Sequence, residues 1–500
     1  MLADIPNIDG PTREARIPTE ELPEGKFLVG GTLPVRRIGL EQEFFLVDRK
    51  GEPRDLADLF LRECREAARA EGCDPRGFEA ESVLGMVEIT TPPSHDFVEM
   101  AGHYLGNLRL ALGVASELGL ALYPLGTYPL PINPVLRDDP RYRVKASILG
   151  HGRFSHAGRC AGAHLHLELP AGTVWPDVKA ALDAPPAAQR ELLGLYNLAT
   201  ALDPALVALT RACPFYQGRT DGFAARTVNY RGILGFDGLY AKLREVGGLS
   251  AYASRVEDLV DQQRARYRAW FAAMDLARVE RRRFAQAGGN LHRASWNPVR
   301  LSRHSTVEIR SMDANFPEAI LAVCALILGA AERVRRERLE VRPSRGVLAL
   351  EPEGGLLLVP IFSYLKGELL SAAATRGVLD SRVEAYLDSL IGFASPYLEE
   401  PELIEPLRSS GGYRTTESEI LASLPDRGAS LTRGQGLSLV REACRTMGEQ
   451  VSSLSRKYDE TPAEYQPDPG LASVTYLGAS PTVFAGDARA VARAADKELA

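Results

Sequence analysis

Four stretches of the 500-residue chain carry ionisable side chains at the two-residue spacing that places them on one face of a β-strand. RRIGLEQEFFLVD (36–48) sets Glu41 and Glu43 on one side and Leu40, Gln42 and Phe44 on the other. GMVEITTPP (85–93) opposes Glu88 to Val87 and Ile89. GAHLHLELP (162–170) alternates His164, His166 and Glu168 with Leu165, Leu167 and Leu169. STVEIRSMD (305–313) presents Glu308 and Arg310 with Val307 and Ile309 behind them. One such strand needs no function, because antiparallel sheets often face water on one side. Four together imply a surface on which carboxylates raise one another's pKa unless a cation neutralises them.

A glutamate-dominated set is a hard-oxygen set, which suits Mg²⁺ or Mn²⁺. The His-x-His pair also permits zinc and metal-dependent amide hydrolysis. The later histidines, His292 and His304, stand in no recognisable ligand motif. With divalent ions bound, an acidic face becomes a cradle for a polyphosphate. The chain has no G-x-x-x-x-G-K-[ST] loop and no strand–GxGxxG–helix unit, which excludes a P-loop and argues against a dinucleotide fold.

The elements that must hold these faces are strands interrupted by helices. Strand patterns lie at about 36–47, 83–91, 163–169 and 305–311. Helical spacing runs through 56–72, 96–120, 186–212, 250–286 and from Pro317 onward. GTYPLPINPVLRDDPRYR (126–143) reads as a Pro-rich loop, and RGVLALEPEGGLLLVP (345–360) as a hairpin around Glu-Gly-Gly. The pattern predicts an α+β layer architecture with helices covering one face of a sheet. We expect an extended arm at 1–33, a catalytic domain at 34–345, a mainly helical region at 346–465 packed on it, and a loosely structured tail at 466–500.

Composition narrows the setting. An apolar content of 45% and a charged content of 25% fit a globular chain with a sizeable core. A net charge of −6 gives no reason to expect nucleic-acid binding. Six scattered cysteines without a CxxC pair suit reduced thiols in the cytosol, and Cys160 reads as a packed thiol. The N-terminal residues lack the pattern of a signal peptide. The longest apolar stretch, from Ala319, is short of the ~20 residues a membrane span needs, so no membrane partner is expected.

The ordered motifs resemble those of the glutamate–cysteine ligases, in particular the bacterial carboxylate–amine ligase branch. IGLEQEFFLVD resembles that family's first strand with its paired glutamates, and EAESVLGMVEITTPP its acidic segment, with Glu88 as a metal ligand and Glu81 as the earlier acidic residue. AGAHLHLELP places His164 at the family's histidine position. PFYQGRTDGFAARTVNYR looks like a substrate-side loop, with Arg226 as a candidate cofactor contact. TVEIRSMDANFP places Glu308 as a metal ligand and Arg310 as the phosphate-facing arginine. Residues 345–500 match no motif of the family.

The resemblance implies a curved antiparallel sheet forming an active-site funnel flanked by helices, akin to glutamine synthetase. It implies ATP and Mg²⁺ (or Mn²⁺), with Glu41, Glu43, Glu88, His164 and Glu308 holding metal, Arg226, Arg310 and Glu81 near the nucleotide, and Glu308 and Arg310 serving catalysis. ATP would phosphorylate a glutamate carboxylate, and an amine, cysteine or another, would displace phosphate to form an amide. On this expectation His166 and Glu168 are either further ligands or a hydrogen-bonded pair at the rim. The alternatives from other classes are a zinc amidohydrolase and a non-catalytic nucleotide- or metal-binding relative.

Overall fold

A computed structural model describes residues 36–170, 172–173, 178–290, 292–302, 304–424 and 430–458. The expected arm at 1–33 and tail at 466–500 lie outside the described residues. Seven strands form one antiparallel sheet: β1 (Ile38–Asp48), β2 (Phe78–Ala80), β3 (Met86–Thr90), β4 (Leu120–Tyr123), β5 (Gly162–Glu168), β6 (Val299–Ser302) and β7 (Thr306–Asp313). Their order is β2-β3-β1-β5-β7-β6, and β4 pairs with the C-terminal end of β1.

Alternation along the strands divides the sheet into two unlike faces. Leu40, Phe44, Leu46, Val87, Ile89, Leu165, Leu167, Val307 and Ile309 belong to one buried apolar cluster with the helices Phe97–Glu117, Pro186–Leu209 and Pro317–Arg336. Gln42 is the polar exception on this face of β1, and it is satisfied: Tyr104 donates to Oε1 at 2.5 Å and Nε2 donates to the Asn315 carbonyl at 2.8 Å. Each helix has a local reason to start where it does. Asp96 accepts from the Glu99 amide at 2.8 Å, and Pro186 and Pro317 occupy first-turn positions that need no amide donor.

The register of β5 against β7 slips between Ala163 and Leu165, which pair with Met312 and Ile309. The extra residue therefore lies in β7, a bulge that shifts its apolar set from Val307 and Ile309 to Met312. Alternation alone does not show this feature.

Three expectations change. Residues 140–143 are helical, because Asp139 caps the helix Pro140–Leu149 by accepting from the Arg141 amide at 2.8 Å. The segment read as a substrate-side loop ends in the helix Ala225–Arg231, so Arg226 is helical. Among the described residues, the helix Pro186–Leu209, not the stretch from Ala319, is the one long and apolar enough to cross a membrane by length and composition, yet 94% of its apolar window is buried inside the fold. The strands β2, β4 and β6 were not legible because three or four residues are too few to display a period. The hairpin at 351–360 is present, turning at Gly354 and Gly355, both of positive φ, and its second strand also pairs in parallel with Glu340–Ser344.

Helices after residue 346 pack on the layer behind the sheet. Ser381–Ala394 lies against Pro317–Arg336, and Arg433–Tyr458 against Phe97–Glu117. A buried pair, Arg211 with Glu417 (Nε to Oε2, 2.9 Å), ties this region to the end of the helix Pro186–Leu209. A second buried pair joins Arg231 to Asp203 through two bonds of 2.8 Å, and the Ser311 hydroxyl at the β7 bulge donates to the same carboxylate at 2.5 Å. Removing one partner strands the other's charge. Asp203→Leu is expected to cost ~3–5 kcal/mol in chemical denaturation, and adding Arg231→Met should recover part of that loss. A single variant as stable as wild type would contradict this account.

Candidate functional site

The polar face of the sheet bounds a cavity of about 270 Å³. Strand pairing decides which charges meet there. Glu43 stands directly opposite Glu88, and Glu88 opposite Glu79, so three carboxylates form one cross-strand row. Glu41 stands opposite His164, His166 opposite Glu308, and Glu308 opposite Arg300. Like charges directly opposed across strands are destabilising, and burial aggravates that cost.

Two of the carboxylates have cationic or imidazole partners. Glu308 receives Arg300 through Nε (2.5 Å) and Nη2 (2.9 Å), and Arg310 through Nη1. Burial works against the Glu308 carboxylate, but Arg300 and Arg310 hold it well below its ordinary range. Glu41 lies 3.1 Å from His164 Nδ1 and 3.2 Å from His166 Nε2. Burial pushes the Glu41 carboxyl up, and contacts with His166 and His164 more than offset it. Burial, reinforced by Arg310, drops His164 to about 4, so its ring is neutral near pH 7.

Among the described residues, Glu43, Glu81 and Glu88 have no arginine or lysine within ion-pair distance. Glu43 accepts from the Gly162 amide at 2.6 Å and Glu81 from the Ser82 amide at 3.0 Å. Glu88 has His164 Nδ1 at 3.7 Å. Burial, with Glu81 adjacent, raises Glu43 to about 8. Burial and the surrounding glutamates, Glu41 first among them, push Glu88 well above its ordinary value, and burial raises Glu81 as well.

Every residue expected from the sequence lines this cavity except Arg226: Glu41, Glu43, Glu81, Glu88, His164, Glu308 and Arg310 are all brought together. Arg226 is buried against the polar face at the start of β5, where Gly162 leaves it room; a Cβ on Gly162 would stand 2.1 Å from Arg226 Nη2. Its guanidinium lies 3.8 Å from Asp313 and 5.5 Å from the Tyr230 ring centroid. His166 and Glu168 do not pair with each other. His166 Nδ1 lies 2.9 Å from the Thr306 hydroxyl, whereas Glu168 accepts from the Arg37 amide at 2.9 Å and its Nε at 3.0 Å. Cys160 is a packed thiol, pushed up to about 12 by burial.

Sequence reasoning missed Arg300 and the wall of the cavity that is not sheet. Arg300 had a readable signal, since it lies only eight residues before Glu308, which it faces in the strand pairing. Lys145, Tyr142 and Trp296 had none, because they come from a helix and a loop distant in sequence.

The donor set fits divalent cations. Three overlapping groups bring their ligand atoms within 4.8 Å of one another: Glu41, Glu88 and His164; Glu41, His166 and Glu308; and Glu43, Glu81 and Glu88. Glu41 Oε1 and His166 Nε2, 3.2 Å from each other, and His164 Nε2 are buried without a well-aligned hydrogen bond. Buried polar atoms are normally satisfied, so unpartnered ones converging with carboxylates point to a cation. Carboxylate excess favours a hard ion of the Mg²⁺ class.

The profile of glutamate-cysteine ligase family 2 (GCS2) matches residues 37–345. The "Putative glutamate–cysteine ligase 2-1" of Streptomyces avermitilis is 29% identical over 192 residues, 38% of this chain and 46% of that protein. The "Putative glutamate–cysteine ligase 2" of Streptomyces coelicolor is 27% identical over 194 residues, 38% of this chain and 47% of that protein. The chain thus spans about half the length of the curated relatives it matches. Among solved structures, a bifunctional glutathione synthetase from Pasteurella multocida aligns over 85% of this chain and 53% of its own at 13% identity, with a TM-score of 0.42. The glutamate–cysteine ligase of Francisella tularensis in complex with AMP aligns over 85% and 93% at 11% identity, with a TM-score of 0.40.

The raised Glu43 carboxyl makes metal-free stability depend on pH. Its folded pKa of about 8 exceeds the ordinary 4.5. Between these values the folded chain retains a proton that the unfolded chain has released, so stability falls as pH rises, by up to ~1.4 kcal/mol per pH unit for this group. Thermal melts of the metal-free chain should show Tm decreasing from about pH 6 to 8, with a shallower slope in Glu43→Gln. Excess Mg²⁺ should restore Tm at the upper end. A wild-type Tm that rises across this range would refute the assignment.

Proposed function

The chain belongs to glutamate-cysteine ligase family 2, and from that membership we propose that it is an ATP- and Mg²⁺-dependent carboxylate–amine ligase joining the γ-carboxylate of glutamate to the amine of cysteine. The observation that supports this reading most is the convergence of Glu41, Glu43, Glu81, Glu88, His164, His166 and Glu308 in three overlapping ligand groups beside Arg310.

Glu41, Glu43, Glu88, His164 and Glu308 would hold Mg²⁺, or Mn²⁺ in its place, with His166 and Glu81 completing the groups. The bound ions supply charge neutralisation for a polyphosphate over an otherwise anionic floor. The glutamate γ-carboxylate oxygen attacks the terminal phosphorus of ATP, the bond to the bridging oxygen breaks, and ADP leaves. The amine nitrogen then attacks the acyl carbon, the carbon–oxygen bond to phosphate breaks, and an amide forms with loss of a proton from nitrogen. Phosphoryl transfer asks mainly for positioning and electrostatic stabilisation. Arg310 answers this with guanidinium donors beyond the Nη1 that engages Glu308. Arg300 keeps Glu308 ionised and oriented from its other side. Arg226 acts at one remove, fixing the start of β5 rather than touching nucleotide.

We assign residues 34–345 as the catalytic domain and 346–465 as a helical region that braces the layer behind the sheet. The six unpaired thiols support a cytosolic setting. A second reading, metal-dependent amide hydrolysis, has the unpartnered nitrogens of His164 and His166 in its favour. The excess of carboxylate over imidazole ligands weighs against it.

With Mg-ATP, glutamate and cysteine the purified chain should release ADP and yield the dipeptide mass. A preference for another amine would keep the ligase chemistry and replace the acceptor. No ADP with any amine, but amide cleavage after zinc addition, would establish the second reading. Glu43→Gln and Arg310→Ala should each reduce ADP release by roughly two orders of magnitude, equivalent to ~3 kcal/mol, with near-wild-type folding. Full activity in either variant would remove that residue from the mechanism.

A further inference from the structure

The part of the cavity wall that the sheet does not supply has the opposite electrostatic character. It rests on a separate buried cluster that includes Val144, Leu149, Tyr240, Trp270, Met274, Phe284 and Trp296. Trp296 is clamped there between Trp270, with ring centroids 4.9 Å apart, and Tyr240, stacked at 5.8 Å. The helix Pro140–Leu149 delivers Lys145 onto this platform, with Nζ 4.5 Å from the Trp296 ring centroid and 5.5 Å from that of Tyr142. Arg293 lines the same wall. Among the described residues, neither Lys145 nor Arg293 has an ion-pair partner, although five carboxylates line the cavity.

An ammonium held over aromatic faces in a buried cavity recovers only part of its lost hydration. Burial lowers Lys145 to about 7, Glu81 partly opposes this, and Arg300, Arg141 and Arg293 reinforce it. Burial and Arg141 lower Arg293 in the same way. The fold therefore gathers basic side chains on one wall and carboxylates on the floor, and among the described residues leaves Lys145 and Arg293 on the one and Glu43, Glu81 and Glu88 on the other without an Arg, Lys or carboxylate ion-pair partner. The floor is completed by cations. By the same logic the wall is completed by an anion.

We propose that Lys145, with Arg293 beside it on the Trp296 platform, is the seat for an oxyanion of a bound substrate, and that Lys145 sets the affinity for it. The oxyanion is either the carboxylate of the amino-acid substrate or a phosphate of the nucleotide. A compact ammonium serves either as a point charge, whereas the flat guanidinium of Arg310 meets the sheet side of the same ligand. The inference deepens the ligase reading and rests on it for the choice of these two anions.

The test is calorimetric titration of the full chain with Mg-ADP, with glutamate and with inorganic phosphate, each alone, for wild type, Lys145→Met and Lys145→Arg. Lys145→Met keeps the aliphatic stem over Trp296 and removes the charge. It should lose about tenfold or more in affinity for at least one ligand, and Lys145→Arg should recover most of that loss. Loss confined to glutamate identifies the substrate carboxylate, and loss confined to Mg-ADP the nucleotide phosphate. Should Lys145→Met not fold by its thermal melt, Lys145→Gln serves the same comparison. Unchanged affinities in a folded neutral variant would overturn the proposal, as would a wild-type chain that binds none of the three. The ligase reading stands or falls separately on ADP release. Turnover that is normal without Lys145 would sink the wall alone. Lys145-dependent binding without turnover would sink the ligase reading alone.

Discussion

A folded sheet that sets Glu43 directly against the buried Glu88 on the neighbouring strand, with Glu81 close by, gathers more negative charge than the arginines and histidines in contact with it neutralise. Everything else about the cavity answers to that imbalance. Glu308 is relieved by two arginines and Glu41 by two imidazoles, but Glu43, Glu81 and Glu88 are left with backbone amides and a distant histidine. Burial first, and repulsion among the glutamates second, push their carboxyls up. Such an arrangement is costly as a resting surface and sensible as a receptor for divalent ions, because the same repulsion that raises the pKa values is released when a cation arrives.

Holding that imbalance requires a stiff support. The apolar face of the sheet provides it through one large cluster shared with three long helices, and the buried Asp203–Arg231 pair locks the β7 bulge to the helix Pro186–Leu209. The bulge matters for the chemistry. It inserts one residue opposite His164, so that Arg310 reaches 3.3 Å from His164 Nδ1 while Glu308 keeps its register against His166. Without it, the alternation of β7 would run uninterrupted past His164, and Met312 would leave the core face it shares with Ala163.

The cavity is thus a junction of two cores. The sheet and its helices supply the carboxylate floor, and the cluster around Trp270 and Trp296 supplies a cationic wall. The two are connected through Arg300, which reaches from β6 both to Glu308 on the floor and to the Ser295 carbonyl beside Trp296 at 2.8 Å. A substrate lying between floor and wall would meet metal on one side and ammonium on the other, an arrangement suited to a reaction whose charge is spread over phosphoryl oxygens.

The sequence by itself determined the two-faced strands. A period of two is a local property, so the assignment of Glu41, Glu43, Glu88, His164, His166, Glu308 and Arg310 to one side needed no tertiary information. It also determined the α+β class, through strand patterns interrupted by helical ones, and the family, through motifs that lie in order along 37–316. Only the tertiary structure decided who faces whom. Register placed Glu43 against Glu88 rather than against a histidine, and packing gave His166 and Glu168 different partners and seated Arg226 over Gly162, beside the cavity rather than in its lining. It alone brought Lys145 and Trp296 together from positions 151 residues apart in the chain (296 − 145). Partner choice between strands, and contact between elements distant in sequence, depend on packing and loop closure, which leave no periodic trace in the residues themselves.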